Sequence, residues 1–427
     1  MFWKSAFVRH PRWLTAAFLC STGPLWAAEG LTFDQALLTA LRQSPELQAE
    51  AARVDSARRA QGPADSLPDP TLIIGLDNVP IEGPDRYSLS SDFMTMQRIG
   101  ISQRFPNHGK RQARAEAASE RVGLTEALAE STRLRVLRQT AKAWIELHTL
   151  TRQRALLDKR IADNQLFDQA VKARLSSGQG RTLDSIDPRR EAATLLDRQD
   201  ALLARQRQAE AQLVRWLGEA GRQPLSGESP EFAINTNQLL QQLHQHPELA
   251  VAQRQAAVAQ AAVNEARAAK RPDWVLTLAY MDREEFSDMA MLQVNVDLPL
   301  FGGSRQGPRI AAAEADRLAL EARAYAVRRE HEAMLSAELA EYERLTRTLD
   351  RQRKIQVPLA AEKVELATAA WRGGDGSLAE LVRARSEWLD ARLEEIDLDG
   401  LRAQQAAALH FTYEHHDTVN EEHDYEH

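Results

Sequence analysis

The stretch SPELQAEAARVDSARRAQGPADSLPDPTL (residues 44–72) returns later in the chain as HPELAVAQRQAAVAQAAVNEARAAKRPDWVL (residues 246–276). Both copies open with Pro-Glu-Leu, continue through an Ala-rich polar segment of helical character, and reach Pro-Asp before an apolar run. The opening prolines, Pro45 and Pro247, lie 202 residues apart. Self-similarity kept over such a composite pattern indicates that the chain consists of two repeats of one structural unit.

Each copy continues with two alternating segments, which predict a β-hairpin. The first hairpin covers about residues 71–105 and contains TLIIGLD and MQRIGISQRF, and the second covers about 274–300 and contains WVLTLAYMD and MLQVNVDLPL. The polar stretches between the strands, REEFSD in the second copy, are predicted to be loops. A long helix, a glycine-containing turn and a returning helix follow each hairpin. The predicted unit is therefore helix, hairpin, long helix, turn and helix, present twice.

The long helices set the size of the molecule. No proline occurs between Pro106 and Pro188, and apolar residues recur there at three- and four-residue steps, as in amphipathic and coiled-coil helices. A helix of about 69 residues would form a rod roughly 100 Å long. Pro358 is predicted to kink or break the corresponding helix of the second copy. The glycine turns at about residues 175–187 and 372–383 are the predicted tips of the two helical hairpins.

The N-terminus has the features of an export signal. Basic residues from Lys4 onward precede an apolar run, and small residues follow at Ala27 and Ala28, which predicts a signal peptide over residues 1–28. The single cysteine, Cys20, lies inside this segment after Leu19, where a lipoprotein signal would need a small residue. No later apolar run is long enough for a transmembrane helix. The net charge of −7 argues against a nucleic-acid partner.

The strands alternate between an apolar and a polar side. In the last strand Leu292 and Val294 share one side, and Gln293 and Asn295 share the other. This alternation fits membrane-spanning strands, and it fits a small periplasmic sheet equally well. Four strands are too few to enclose a polar interior, so a membrane location would require several chains to share one barrel.

The duplicated unit, the signal peptide and the turns SGQGRTLDSIDPRR and RGGDGSLAELVRARSEW resemble those of the TolC-like outer-membrane efflux family over about residues 29–412. The resemblance implies a mainly α fold with a β-barrel part. Long coiled-coil helical hairpins would form two tandem repeats, residues 29–225 and 226–412, and the four strands of each chain would contribute to a trimeric, 12-stranded outer-membrane barrel. The segment DNVPIEGPDRYSLSSDFMTMQRIGISQRFP (residues 77–106) further resembles the CzcC and CusC type, the branch that serves heavy-metal efflux pumps.

Function and partners follow from the same resemblance. It implies a homotrimer in the outer membrane of a Gram-negative bacterium, with a large periplasmic part. The implied partners are outer-membrane lipid, a periplasmic membrane fusion protein and an inner-membrane RND-type pump. The predicted function is an exit duct for heavy-metal cations, either Cu and Ag or Zn, Co and Cd. The alternatives are a duct for drugs or other organic compounds and a non-channel periplasmic coiled-coil scaffold. The sequence has no phosphate-binding loop, HExxH or G-x-S-x-G motif, so no enzyme activity and no cofactor are predicted.

The tips hold the predicted gate. In the family, carboxylates just past the tip glycine narrow the closed tunnel, and matching the two turns transfers that role to this chain, except that one family carboxylate is replaced here by an arginine. A mixed ring could close by ion pairs, or the same residues could only cap the returning helices. The predicted tip and gate residues are Gly178, Asp184, Asp187, Gly374, Glu380 and Arg383.

Two methionine pairs, Met94/Met96 and Met289/Met291, occupy equivalent positions 195 residues apart, before the second and fourth strands. Period-two geometry puts each pair on the polar side of its strand, which would face the lumen. Thioether sulfur binds soft ions such as Cu(I) and, by the same softness, Ag(I). The alternative is that these methionines fill gaps where strands meet loops.

Two sets of histidines, among the eleven in the chain, bear on function. His148 and His331, on the long helices, are predicted to be ordinary surface residues. The acidic segment from residue 413 to 427 contains four more, and it is either a disordered solubilising tail or a weak metal-capturing one. The candidate ligands in this segment are His415, His416, His423 and His427.

Overall fold

The computed structural model describes residues 30–178 and 181–413. The predicted signal peptide and the four histidines His415, His416, His423 and His427 lie outside the described residues. In the described part the first half of the chain forms α1 (Phe33–Gln43), α2 (Pro45–Gln61), β1 (Thr71–Asp77), β2 (Met96–Phe105), α3 (His108–Ser176) and α4 (Asp187–Leu217). The second half forms α5 (Thr236–Gln242), α6 (Pro247–Ala268), β3 (Trp274–Arg283), β4 (Phe286–Val296), α7 (Gly307–Arg351), α8 (Val357–Gly373) and α9 (Leu378–Tyr413).

The predicted order of helix, hairpin, long helix, turn and helix is confirmed in both halves. The long helix α3 has 69 residues. It begins where the side chain of Asn107 accepts a hydrogen bond from the backbone N–H of Gly109 at 2.9 Å, which satisfies one of the donors left open at a helix start. Helix α3 packs along α4, α6 and α9, so one rod connects the first hairpin to both halves of the molecule.

In the second long helix, the α-helical hydrogen-bond pattern is interrupted just before Pro358, but the chain stays helical. Helix α7 passes into a π-helical turn, Gln352–Gln356, and α8 resumes with Pro358 in its first turn. A proline that follows helical residues removes one helical hydrogen bond and crowds the carbonyl one turn earlier, and the π turn directly before Pro358 gives that carbonyl more room. The wider π turn therefore lets the rod continue to the second tip at Gly374, where α8 ends.

The four strands form one antiparallel sheet in the order β1-β2-β3-β4. Its central pairing joins the two halves, with Ile101 of β2 opposite Leu278 of β3. The predicted loop REEFSD is wrong in extent, because β4 already begins at Phe286. Only Glu284 and Glu285 connect β3 to β4, and Glu284 adopts a left-handed conformation with φ of 46°. The polar residues of this stretch are compatible with a strand whose faces are exposed.

The main core lies where α1, α3, α4 and α9 meet, at the level of the fully buried Trp144. The indole Nε1 of Trp144 donates a hydrogen bond to the carbonyl of Leu31 at 3.2 Å, so the segment before α1 is fixed to α3. A second core cluster around Leu335 joins the corresponding helices of the second half. Among residues 30–178 and 181–413, no helix combines the length and the apolar composition needed to cross a bilayer.

His331 and His148 correct the surface prediction. His331 is only 5% exposed, and its Nε2 lies 3.0 Å from Oε2 of Glu248 at the start of α6. This hydrogen bond lowers the pKa of Glu248 below its usual range, against the opposing effect of partial burial. His148 is half-buried and stacks on Trp144 with 4.9 Å between ring centres. The sequence alone missed both sites because the helix faces that bury these rings are set by neighbouring helices.

Candidate functional site

The two tips have the same backbone geometry. Gly178 follows α3 with φ of +77°, and Gly374 follows α8 with φ of +90°. Both values lie in the left-handed region, which glycine adopts without the steric cost that a β-carbon causes. The sequence match of the two turns therefore corresponds to two equivalent helix ends.

The two predicted gate carboxylates make equivalent contacts. Oδ2 of Asp184 accepts a hydrogen bond from the backbone N–H of Arg181 at 3.0 Å. Oε2 of Glu380 accepts one from the backbone N–H of Ser377 at 3.2 Å, while Oγ of Ser377 accepts from the N–H of Glu380 at 3.2 Å. Each carboxylate thus caps the turn that starts its returning helix, and each keeps a second oxygen that these hydrogen bonds do not use.

The other two predicted gate residues lie further along the returning helices. Asp187 begins α4, with its Oδ1 3.5 Å from a guanidinium nitrogen of Arg190. Arg383 is exposed on α9, one turn after Glu380. Within the part of the single chain that the structure describes, no ion pair joins Arg383 to Asp184 or Glu380. The structure therefore brings the residues to one end of the molecule without assembling a ring from one copy.

A cleft of about 480 Å³ lies between the two tips and is lined by residues of both hairpins, Asp184 and Gly374 among them. Arg174 of α3 spans it. Its guanidinium donates a hydrogen bond to the carbonyl of Trp371 at 3.0 Å and lies 4.8 Å from the centre of the Trp371 ring. Phe167 packs edge-on against the same ring. An aromatic and cationic contact thus links the two tips inside one chain.

At the opposite end, the sheet has two chemically different faces. We call the first the apolar face. Many of its side chains are exposed and not packed in a hydrophobic core. Several are more than half exposed, for example Leu72 (65%), Ile74 (74%) and Leu292 (68%). Exposed contiguous apolar surface of this kind marks an interaction site in a folded protein. The apolar face consists of Leu72, Ile74, Leu76, Ile99, Ile101, Trp274, Leu276, Leu278, Tyr280, Leu292, Val294 and Val296.

The other side, which we call the polar face, carries mostly small, polar and charged residues, with Ile73 and Val275 as apolar exceptions beside the methionines. Arg98 and Asp77 form an ion pair across β1 and β2 at 3.1 Å, and Arg104 pairs with Asp297 at 2.8 Å. Thr277 donates a hydrogen bond to Ser102 at 3.1 Å. The predicted separation of apolar and polar side chains is therefore present over most of the sheet, although Gln97 and Gln103 lie in register with the apolar face.

The methionines lie at this polar face. Met96 is the first residue of β2, and Met94 is exposed in the preceding loop. The interpretation that Met289 and Met291 precede the fourth strand is wrong, since both lie inside β4, on the side of Gln293. Met281 of β3, which the sequence analysis missed, lies directly opposite Met289. Only the strand register reveals this partner, because the equivalent position of the first repeat holds no methionine.

Other metal-ligating residue types give no comparable group. Within residues 30–178 and 181–413, no set of three or more His, Cys, Asp or Glu side chains is placed to hold a metal ion.

One protein-family model matches the chain. The sequence profile described as "Outer membrane efflux protein" matches residues 36–219 and 239–412, one segment in each half. No curated protein sequence matches the chain significantly. Members of the matching family are channels and not enzymes.

Several solved structures share the fold. A membrane protein from Pseudomonas aeruginosa superposes with a TM-score of 0.77 at 18% identity, covering 89% of this chain and 90% of its own. CusC, from a structural study of its folding and transmembrane channel formation, superposes with a TM-score of 0.75 at 16% identity. The match covers 94% of this chain and 98% of the CusC chain. The outer membrane protein VceC from Vibrio cholerae gives 0.73 at 18% identity, with 89% and 95% covered.

Proposed function

The chain belongs to the outer membrane efflux protein family, and we propose that three copies of it form the outer-membrane exit duct of a tripartite efflux system that releases heavy-metal cations. The observation that supports the duct most directly is the exposed apolar face of the sheet. At about 25 cal/mol per Å², a surface of this kind is costly in water and favourable in contact with lipid chains. A periplasmic scaffold would gain nothing from such an exposed apolar face.

The sheet edges support the trimer. In the described chain, β1 and β4 each have one side without a partner strand. Open edges in lipid leave backbone N–H and C=O groups unsatisfied, so β4 of one copy should pair with β1 of the next. Three four-stranded sheets joined in this way give 12 strands with the apolar face outside and the polar face around the lumen. Two hairpins per copy then give six similar units around the periplasmic tube.

The partners follow from the position of the tips. We assign the cleft between Arg174 and Gly374 to the periplasmic end, where a membrane fusion protein would dock and connect the duct to an inner-membrane RND-type pump. The channel family has no energy source of its own, so the pump supplies it. Asp184, Asp187, Glu380 and Arg383 would close the tube there, with each ion pair contributing only about 0–1 kcal/mol and closure requiring all three copies.

For the cargo, one feature supports metal cations, the resemblance of segment 77–106 to the heavy-metal branch. The second candidate, a duct for organic compounds, uses the same architecture with a different pump. Deletion of the gene should sensitise cells to copper, silver, zinc, cobalt or cadmium salts. Sensitivity to detergents and dyes alone would replace the metal cargo with the organic one.

The duct itself is tested by location and conductance. The protein should fractionate with outer membranes, migrate as a heat-sensitive trimer and form channels in planar bilayers. A monomer recovered only from the periplasm, without channel activity, would establish the scaffold alternative instead.

The gate requires a sharper comparison, because Asp184 and Glu380 also cap their turns. The double variant Asp184→Asn/Glu380→Gln removes both charges and keeps an oxygen that can accept the capping hydrogen bonds. It should raise single-channel conductance, and Asp375→Ala, which removes another exposed tip carboxylate, should not. If only the double alanine variant changes conductance, the two residues act as caps and not as an electrostatic gate.

A further inference from the structure

We propose that Met281, Met289 and Met291 form a thioether site for a soft monovalent cation, Cu(I) or Ag(I), on the polar face of the sheet. The inference rests on the proposed duct and narrows its cargo from heavy-metal cations in general to soft monovalent ones. The proposal rests on the strand register, which places a methionine of β3 beside two methionines of β4.

The strand register places the three methionines next to one another. Met281 pairs with Met289, and Ala279 pairs with Met291. Directly opposed residues of antiparallel strands have β-carbons about 4.5–5.5 Å apart, and diagonal neighbours on the same face remain within reach of long side chains. Met291 is the diagonal neighbour of Met281. The small side chain of Ala279 leaves room for Met291 to lean towards it, and the three rotatable bonds of methionine allow three sulfur atoms to converge.

The surroundings fit a weak site for a monovalent cation. Arg98 lies opposite Met281 on β2, and its charge is offset by the ion pair with Asp77 at 3.1 Å. Met281 and Met291 are half-buried, and Met289 is 43% exposed, so an ion can reach the sulfur atoms from solvent. Met96, on the same face and diagonal to Met281, is a fourth thioether within the sheet.

The distribution of methionine supports a role beyond packing. Of the seven methionines in the chain, four lie in the described strands on the polar face, and none of the strand residues on the apolar face is a methionine. A methionine used only as an apolar filler would be expected at least as often on the apolar face. Thioethers are neutral and select soft ions, so they can hold Cu(I) or Ag(I) loosely in a lumen without holding the harder divalent ions.

Loose binding is what an exit path requires, since conduction needs sites that an ion can leave as well as enter. Thioether sulfur does not take up protons in the range where histidine does, so this site should bind equally well at pH 5 and pH 7.5. Histidine ligands in the C-terminal segment would lose affinity at pH 5, because metal binding requires the neutral ring. The pH dependence therefore separates the two candidate ligand sets in the full-length protein.

The test uses the full-length trimer in detergent, titrated with silver nitrate in chloride-free buffer at pH 5 and followed by calorimetry. The wild type should bind about one Ag(I) per chain. In the variant Met281→Leu/Met289→Leu/Met291→Leu, affinity should fall by at least the roughly tenfold that loss of even an outer-shell partner costs. Met334→Leu, at an exposed position of α7, should leave affinity unchanged. Unchanged silver binding by the triple variant, or no binding by the wild type at pH 5, would overturn the site.

Two further measurements keep the outcomes separate. Channel conductance of the same triple variant reports the duct, so a conducting variant that still binds silver disproves the site and leaves the duct standing. Absence of channels from the wild type disproves the duct instead. If the triple variant does not assemble, Met281→Leu alone removes the central ligand with little change in volume. Wild-type silver affinity in that single variant would then overturn the proposal.

Discussion

Arg160 of α3 and Glu191 of α4 form an ion pair inside the first helical hairpin, and both side chains are more than nine-tenths buried. Neither residue satisfies all of its polar atoms, since Nε of Arg160 and Oε2 of Glu191 are buried without a hydrogen-bond partner in the described structure. A buried pair with incomplete hydrogen bonding contributes little net stability, but loss of one partner leaves an uncompensated buried charge.

The single variants Arg160→Met and Glu191→Leu should therefore each lower the free energy of unfolding by about 3–5 kcal/mol, whereas the double variant should be close to the wild type or more stable. Thermal unfolding in detergent provides the measurement. The exposed pair Arg58 and Glu126 is the matched control, where single substitutions should cost only about 0–1 kcal/mol. A double variant as unstable as the singles would show that the pair itself, and not the unpaired charge, determines stability.

Acid should weaken the contact between Glu248 and His331. Because the pKa of Glu248 is lowered in the folded state, its contribution to stability is present above its unfolded value of about 4.5 and is lost as the pH falls through the folded value. Glu248→Gln should therefore flatten the loss of thermal stability below pH 4.5. Melting temperatures measured from pH 3 to pH 7 test this.

Glu338 provides a comparison of opposite sign. Burial raises the pKa of this carboxyl, against the opposing charges of Lys142 and Arg138. Its effect on stability is therefore most favourable below pH 4.5 and is lost as the pH rises through the folded value. Glu338→Gln should flatten the decline above pH 4.5 and leave the acid side unchanged. Equal pH profiles for the two variants would contradict both assignments.

Gly374→Ala should destabilise the second tip by about 1–2 kcal/mol, because an L-residue with a β-carbon is strained at its φ of +90°. The adjacent substitution Gly373→Ala is the matched control. Gly373 has no positive φ, and a β-carbon there would meet only a side-chain oxygen of Asp375 at 3.8 Å. Limited proteolysis of the tip should become faster in the first variant and not in the second.

The sequence could specify the repeated unit because each element carries a local signal. The proline-free stretch after Pro106, ended by the tip glycine Gly178, predicts α3 to its correct length. The two left-handed glycines are recognisable from turns that occur twice. The long-range contacts have no such signal. The pairing of Met281 with Met289 depends on a strand register that is set by the short turn at Glu284 together with an irregularity between Met281 and Arg283. The polar residues of that turn suggested a longer loop instead.

The sequence also did not reveal which helix faces bury His331 and Arg160. Each of these residues is polar and lies within a helix, and each pairs with a residue of another helix, Glu248 for His331 and Glu191 for Arg160. Composition assigns such residues to the surface, and only the packing of three or four helices places them inside. The same limit applies to the capping of Asp184 and Glu380, which the sequence could propose but not separate from a gate role.

Gly400→Ala should loosen the contact between α9 and α3, since a β-carbon at this position would clash with the side chain of Thr149. Such overpacking typically costs about 1–3 kcal/mol. The variant Gly123→Ala is the control, because its nearest neighbour is the flexible end of Arg254 at 3.3 Å and alanine favours a helix. Combining Gly400→Ala with Thr149→Ala should recover part of the loss in thermal unfolding. A fully stable Gly400→Ala variant would show that the two helices can separate at no cost.

The π-helical turn Gln352–Gln356 has a consequence for how the two halves of the gene can diverge. The stretch from Gly303 to Gly374 is two residues longer than the stretch from Gly109 to Gly178. In an uninterrupted α-helix, each inserted residue would rotate everything beyond it by about 100°. The second half contains two π turns, Gly302–Gln306 and Gln352–Gln356, and each can accommodate one extra residue locally. Insertions can thus accumulate in one copy of the repeat while its tip stays in phase with the other, so the approximate symmetry of the proposed duct wall survives changes in length.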